Sequence, residues 1–281
     1  YLVDADNVFI VSRKTPISDV PKMYIGCEMK DDGNYVMTED EKNTFLQNEP
    51  QAEKYIHPYM MGKDFIARKS RYCLWLKDIL PSELKKYPKI MERVKNVREF
   101  RLSCPSPDTN HYADKPTFPV RLRYYSEDRI NPALALPKVS SQNRRYIPME
   151  VIDADVIAGS KLFLIPDISL YLFGVLTSNV HMAWMRTVCG RLKSDYSYAS
   201  NVVYNTFPWP EPTDQQRKKI EQTAQAILDA RALYPDSSLA DLYDELTMPP
   251  ELRKAHRQND MAVMQAYGFT KGSEAYKSEA A

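Results

Sequence analysis

Glycine is scarce in this chain: eight occur in 281 residues, where an average composition would supply about twenty. That leaves no place for the glycine-rich strand–turn–helix that binds S-adenosylmethionine. Nor is there an Asn/Asp-Pro-Pro-aromatic loop to hold a target amine. Methyl transfer by these residues alone is excluded. Cysteine is also sparse, and Cys27, Cys73, Cys104 and Cys189 stand far apart with no paired spacing. This pattern argues against a zinc site and against a disulfide framework. The cysteines are expected to be reduced and mostly buried. No apolar run approaches 18 residues, so no transmembrane helix is expected, and no charged-then-apolar leader is present. The expected location is cytoplasmic, with no membrane partner.

Net charge is also small, at +1, and taken alone it favours no acidic partner. Its distribution is uneven. Residues 51–210 hold 24 basic and 15 acidic side chains, while residues 1–50 carry a net −5 and 211–281 a net −3. A positive centre between acidic flanks fits a phosphate-facing surface, because phosphate contacts supply most non-specific nucleic-acid affinity. It also fits ordinary solvated faces.

What the chain does have is concentrated between Asn179 and Pro210, NVHMAWMRTVCGRLKSDYSYASNVVYNTFPWP. Before it, Asp167 or Ser169 is placed to cap a helix whose Leu170, Phe173, Leu176, Val180, Trp184 and Val188 form one apolar stripe about five turns long. Gly190 is the expected C-cap of that helix, with Arg191 and Lys193 at the negative end of its dipole. Tyr196, Ser197, Tyr198, Ser200, Asn201, Tyr204 and Asn205 follow, offering hydroxyls and amides suited to phosphates and base edges. On local grounds alone, packing in an ordinary loop with Phe207 and Trp209 as anchors accounts for them better.

Upstream, Lys138–Tyr146, KVSSQNRRY, gathers hydrogen-bonding side chains around two adjacent arginines. Arginine bonds bidentately to guanine O6 and N7, and Asn or Gln to adenine N6 and N7. Ser141, Gln142, Asn143, Arg144 and Arg145 are therefore base-reading candidates. The competing reading pairs Arg144 and Arg145 with carboxylates such as Asp153 and Asp155. A helix is expected over 81–98, kinked or broken at Pro88. Its polar side bears Lys85, Lys86, Lys89, Arg93, Lys95 and Arg98, with Arg101 beyond, and either tracks a phosphate backbone or faces water. Residues 103–118 read as a long surface loop, and PVRLRYY and ALALPKV as strands. In the first fifty residues YLVDADNVFIVS and MYIGCEM read as strands, DDGN as a turn, and Thr38 with Glu41 as a capping box. Asp19, Glu28 and Lys30 loosely match the carboxylate plus Glu-x-Lys set of Mg²⁺-dependent nucleases, which at this charge density arises readily by chance. Thr213 with Gln216 opens a C-terminal helix; further helices run around Leu239–Leu246 and Leu252–Ala266, with His256 expected at the surface.

The string GRLKSDYSYASNVVYNTFPWP resembles the end of the target-recognition domain of MmeI-like DNA methyltransferases and their restriction-modification relatives. SDVPKMYIGCEMKDDGNYVMTEDEK, RYCLWLKD and LALPKVSSQNRRYIPM agree with it in order, and Pro235–Phe269 resembles the helical C-terminal segment of the same family. The resemblance implies an α+β fold: a mixed α/β recognition domain over 1–212, then a small all-helical domain over 213–270 and a disordered tail at 271–281. It implies sequence-specific binding of double-stranded DNA for an adenine-specific methyltransferase domain directly upstream in the same parent protein, S-adenosylmethionine being bound there and no cofactor or metal here. Ser141, Gln142, Asn143, Arg144 and Arg145 are then the expected base readers. Lys138, Arg191, Lys193, Tyr196, Ser197, Tyr198 and Asn201 are expected at the backbone or the remaining bases. A stand-alone DNA specificity subunit and the nuclease using Asp19, Glu28 and Lys30 are the alternatives.

Overall fold

A computed structural model describes residues 9–120 and 132–277. The strands are β1 (Tyr24–Ile25), β2 (Val36–Met37), β3 (Ile56–Met60), β4 (Arg71–Leu74), β5 (Ala133–Pro137), β6 (Val139–Ser140), β7 (Glu150–Ile152), β8 (Ile157–Ala158), β9 (Leu162–Pro166), β10 (Gly190–Leu192) and β11 (Asp195–Ser197). The helices are α1 (Glu39–Asn48), α2 (Gly62–Ala67), α3 (Pro81–Leu84), α4 (Pro88–Ser103), α5 (Pro107–His111), α6 (Leu170–Leu176), α7 (Asn179–Val188), α8 (Asp214–Ala232), α9 (Leu239–Leu242), α10 (Pro250–Ala266) and α11 (Glu274–Lys277). This is the expected mixture of helix and strand with a helical C-terminal region. Two compact units form. One takes Tyr24–Pro137 and Glu150–Leu164; the other takes Lys138–Met149, everything from Ile165 onward and the segment ending at Met23. The helices after residue 212 thus share a unit with α6, α7 and the strands around residues 139 and 196.

The first unit carries two four-stranded sheets, ordered β1-β9-β5-β7 and β2-β4-β3-β8. Its local signals are short-range. Asp31 accepts the amides of Tyr35 and Val36 at 2.8 and 3.0 Å, while Asp32 and Gly33 take positive φ to close the turn. The Thr38–Glu41 capping box is reciprocal: Thr38 Oγ1 accepts from the Glu41 amide at 3.3 Å, and Glu41 accepts the Thr38 amide at 2.7 Å. Pro88 stands in the first turn of α4, where a missing amide costs nothing; the expected kink is a break between two helices. Ile90, Val94 and Val97 of α4 join Tyr35, Met37, Cys73 and Leu74 in the core.

Three readings need correction here. Gly62–Ala67 is helical, though a glycine at its start reads as a turn. The supposed surface loop after residue 103 holds α5 and a 3₁₀ turn at Tyr112–Asp114, with Thr109 and Ala113 buried. They are held by Arg101, which is fully buried and donates to the carbonyls of Met29, Lys30, Tyr112 and Lys115 at 2.8–3.2 Å. A guanidinium spent on four backbone acceptors is no phosphate contact. Other cations of α4 also have partners: Arg93 bonds the Asn34 carbonyl at 2.6 Å, and Lys89, Lys95 and Arg98 lie near Glu92, Glu99 and Asp114. The expected strand PVRLRYY lies mostly outside the described residues, as does much of YLVDADNVFIVS; Phe9–Val11 are described and not in a strand.

In the second unit the expected five-turn helix is two helices. Ser169 caps α6 by accepting from the Leu172 amide. Thr177 returns its hydroxyl to the Phe173 carbonyl, and Ser178 begins again as the N-cap of α7. Hydroxyl side chains at consecutive positions compete with the helical ladder, which is the physical reason for the break. Gly190 is not the C-cap, a place taken by Cys189; it is the first residue of β10. Helix α6 lies close to α8, and a Cβ on Gly174 would meet Ile220 Cγ2 at 2.7 Å. Asn259 of α10 secures the same contact, donating to the Gly174 carbonyl at 2.7 Å while accepting from Thr223 of α8 at 3.0 Å. The Thr213–Gln216 capping box starts α8 as expected.

Candidate nucleic-acid interface

The two donor-rich segments singled out in the sequence are joined by a strand pairing. Strands β10 and β11 form a hairpin, with Arg191 opposite Tyr196 and Gly190 opposite Ser197. Strand β11 then pairs antiparallel with β6, Tyr196 opposite Ser140 and Ser197 opposite Val139. The small sheet β10-β11-β6 so brings the hairpin beside the Ser141–Arg145 loop, about fifty residues away in sequence. The Gln142 amide donates to Asp195 Oδ1 at 3.3 Å, and the Tyr198 amide donates to the Lys138 carbonyl at 2.8 Å.

Within the loop, the Arg144 amide bonds the Ser141 carbonyl at 3.1 Å, and Ser141 Oγ accepts from the Asn143 amide. This turn leaves Gln142, Asn143 and Arg145 exposed and Ser141 and Arg144 half-buried. Among the described residues Arg144 forms no ion pair, and its Nε is buried without a hydrogen-bond partner. Burial draws its pKa down and the charges of Asp244 and Asp195 draw it up. The carboxylates whose charge acts on it are those of Asp244 and Asp195, within the same compact unit. Arg145 lies against Tyr146, and its carbonyl accepts from Arg186.

In the hairpin, β10 is exposed throughout. Lys193 sits at the tip with φ of 56°, and Arg191 bonds the Ser194 carbonyl at 3.0 Å while its guanidinium lies 3.9 Å from the Tyr196 ring centroid. Tyr196 is thus a buried platform for a cation. Tyr198 lies deeper than Tyr196. It is 2% exposed and its hydroxyl lies 3.0 Å from His181 Nε2, a core position. Lys138, just before β6, and Ser197, within β11, are half-buried, and Asn201 is exposed at the start of a π-helical turn, its carbonyl accepting from the Arg13 amide at 2.8 Å. Sequence reading missed Asp195, which ties hairpin to loop, and Arg186, which holds the loop's far end. Neither carries a local signal. His256, expected at the surface, is fully buried.

The surface is rich in donors. His181, against the Tyr198 hydroxyl, is held neutral by burial, with a pKa lowered to about 3, and cannot act as a base on an external group. Asp19 belongs to one compact unit and Glu28 and Lys30 to the other, where they pair with each other at 3.2 Å. Among the described residues no cluster of three His, Cys, Asp or Glu is placed to hold a metal ion, and no helix is long and apolar enough to cross a membrane.

Comparison with known proteins gives this geometry its family. The profile described as MmeI, target recognition domain matches residues 4–211, and that described as MmeI, C-terminal domain matches residues 212–280. The chain belongs to the MmeI family. Among curated proteins, DNA methyltransferase A of Bacillus subtilis (strain 168) is 37% identical over 267 residues, which is 95% of this chain and 30% of that protein. Among solved structures, the type IIL restriction-modification enzyme MmeI in complex with DNA superposes with a TM-score of 0.92 at 42% identity, covering 98% of this chain and 36% of that one. The chain therefore spans about a third of the length of these MmeI-family relatives, and its mixed α/β fold with a helical C-terminal region is theirs.

Proposed function

We propose that the Ser141–Arg145 loop and the β10–β11 hairpin together read a short double-stranded DNA sequence in the major groove, on behalf of an adenine-specific methyltransferase domain in the parent protein. The observation that carries this is the β11–β6 pairing, which unites two separately donor-rich segments on one surface. The similarity to MmeI, solved in complex with DNA, supports it, as does the kinship with a DNA methyltransferase. Gln142, Asn143, Arg144 and Arg145, with Ser141, take base edges; Arg191 and Lys193, with Lys138, Ser197 and Asn201, take phosphates or the remaining bases. Arg144 is the strongest base reader, because its half-buried guanidinium forms no ion pair among the described residues and its outer nitrogens suit guanine O6 and N7. In functional terms residues 1–212 are the recognition domain and 213–270 its helical support. S-adenosylmethionine is bound by the parent's methyltransferase domain, where a target adenine would be turned out of the duplex for reaction.

The test compares two variants on two duplexes. Arg144→Ala should weaken binding to the cognate sequence by about 1–3 kcal/mol and weaken random DNA far less. Lys193→Ala should weaken both alike and flatten the salt dependence by about one unit. Equal effects of both variants on both duplexes would contradict the assignment.

A further inference from the structure

The Ser141–Arg145 loop is tethered on its C-terminal side by a chain of buried polar contacts to helices that carry no base-reading candidate. Tyr146, immediately after the two arginines, is 2% exposed and donates its hydroxyl to Asp260 Oδ2 of α10 at 2.6 Å. The other oxygen of Asp260 accepts the Asn179 amide, a free donor in the first turn of α7, at 2.8 Å. The ring of Tyr146 stacks on His256, one turn of α10 earlier, with centroids 4.1 Å apart and planes 22° from parallel. Behind it the Tyr243 hydroxyl lies 2.9 Å from His256 Nε2 and accepts from Arg231 Nε at 2.8 Å. Since that oxygen accepts from arginine, its own hydrogen goes to the histidine. Arg231 of α8 closes the circuit by donating to the Met149 carbonyl at 2.6 Å. Tyr146, Asp260, His256, Tyr243 and Arg231 are each 5% exposed or less.

On its N-terminal side the loop leaves β6, fixed by β11. It is thus a short span clamped at both ends, one clamp a sheet and the other the C-terminal helices. We propose that Tyr146 and Asp260 are positioning residues for sequence readout, through which the C-terminal helical module sets the geometry of the base-reading loop. The proposal rests on the reading of Ser141–Arg145 as the base contact. A base edge discriminates only when its donors and acceptors are held in register, so slack in the loop costs selectivity before it costs overall affinity. Buried hydrogen bonds such as Tyr146–Asp260 and Asp260–Asn179 rigidify what they join.

The experiment uses the full chain and two substitutions that each remove one hydrogen-bonding hydroxyl from the same unit. Tyr146→Phe keeps the ring stack and loses the bond to Asp260. Thr223→Val loses the bond to Asn259, which joins α8 to α10 away from the loop. Binding to a selected duplex and to random duplex gives a specificity ratio, and hydrogen exchange at the Asn143 and Arg144 amides reports the loop directly. Tyr146→Phe should lower the ratio about tenfold and speed exchange at both amides, whereas Thr223→Val should leave both readouts unchanged at a similar loss of stability. Equal falls in the ratio, or unchanged loop exchange in Tyr146→Phe, would overturn the proposal. If the wild-type chain selects no sequence, the exchange result still decides. Faster exchange then upholds the clamp and sinks only the base-reading role of the loop, and unchanged exchange sinks the clamp.

Discussion

Tyr198 shows how one residue type divides by environment. Four positions from Tyr198 in the sequence, Val202 belongs to the same tyrosine- and asparagine-rich run, yet the run splits between surface and core. Asn201 faces water, while Tyr198 and Tyr204 are almost wholly buried, the latter donating to the Pro21 carbonyl at 2.7 Å. The Tyr198 hydroxyl has His181 as its partner. Tyr198→Phe should lower unfolding free energy by about 1–2 kcal/mol, measured by denaturant titration, and leave DNA affinity unaltered in the folded protein. A loss of affinity at unchanged stability would return Tyr198 to the binding surface. The same burial that removes it from the surface was invisible in the sequence, because a tyrosine beside serines reads alike in a core and in an interface.

At the scale of elements, legibility followed the range of the interaction. Both capping boxes, Thr38–Glu41 and Thr213–Gln216, involve residues three apart and were readable from those letters. The break at Pro88 was readable too, since proline lacks the amide a helix interior needs. The break at Thr177–Ser178 was not: the apolar stripe runs through it, and only the hydroxyls' choice of backbone partners ends α6 and starts α7. The helical turns inside 103–118 depend on Arg101, a residue that looks like one more surface cation until its four carbonyl partners are known. The two halves of the candidate interface were each legible as donor-rich segments. Their union was not, because β6 and β11 are two and three residues long and their pairing spans more than fifty residues of sequence. His256 was misplaced for a related reason. It sits between Ala255 and Arg257 on a helix that mixes polar and apolar residues, and how wide a face of α10 is buried is decided by α6, α7 and α8 packed against it.

For the molecule as a whole, the buried histidines set a pH limit. Burial holds His181 near a pKa of about 3, and burial with the charge of Arg231 holds His256 far below its ordinary value. Both are neutral when folded, and unfolding returns them to the ordinary value near 6.5, roughly where free histidine titrates. The unfolded chain therefore binds more protons below that pH. Stability should be full above about pH 6.5 and fall as pH drops toward 5, approaching a slope of about 2.7 kcal/mol per unit as both sites contribute. Denaturant midpoints measured from pH 7.5 to 5 test this, and a flat profile would mean that the histidines are accessible.

The uneven charge of the chain, with its cationic surplus in residues 51–210, predicts salt-sensitive attraction to DNA whatever the sequence, so affinity alone cannot establish readout. Selection from a randomised duplex pool at two salt concentrations, with the bound fraction sequenced, separates the two contributions. Base readout by the loop and hairpin should give an enriched motif of a few base pairs that persists at the higher salt while total binding falls. Binding that falls steeply with salt and enriches nothing would contradict it, leaving a surface that grips phosphates without reading bases.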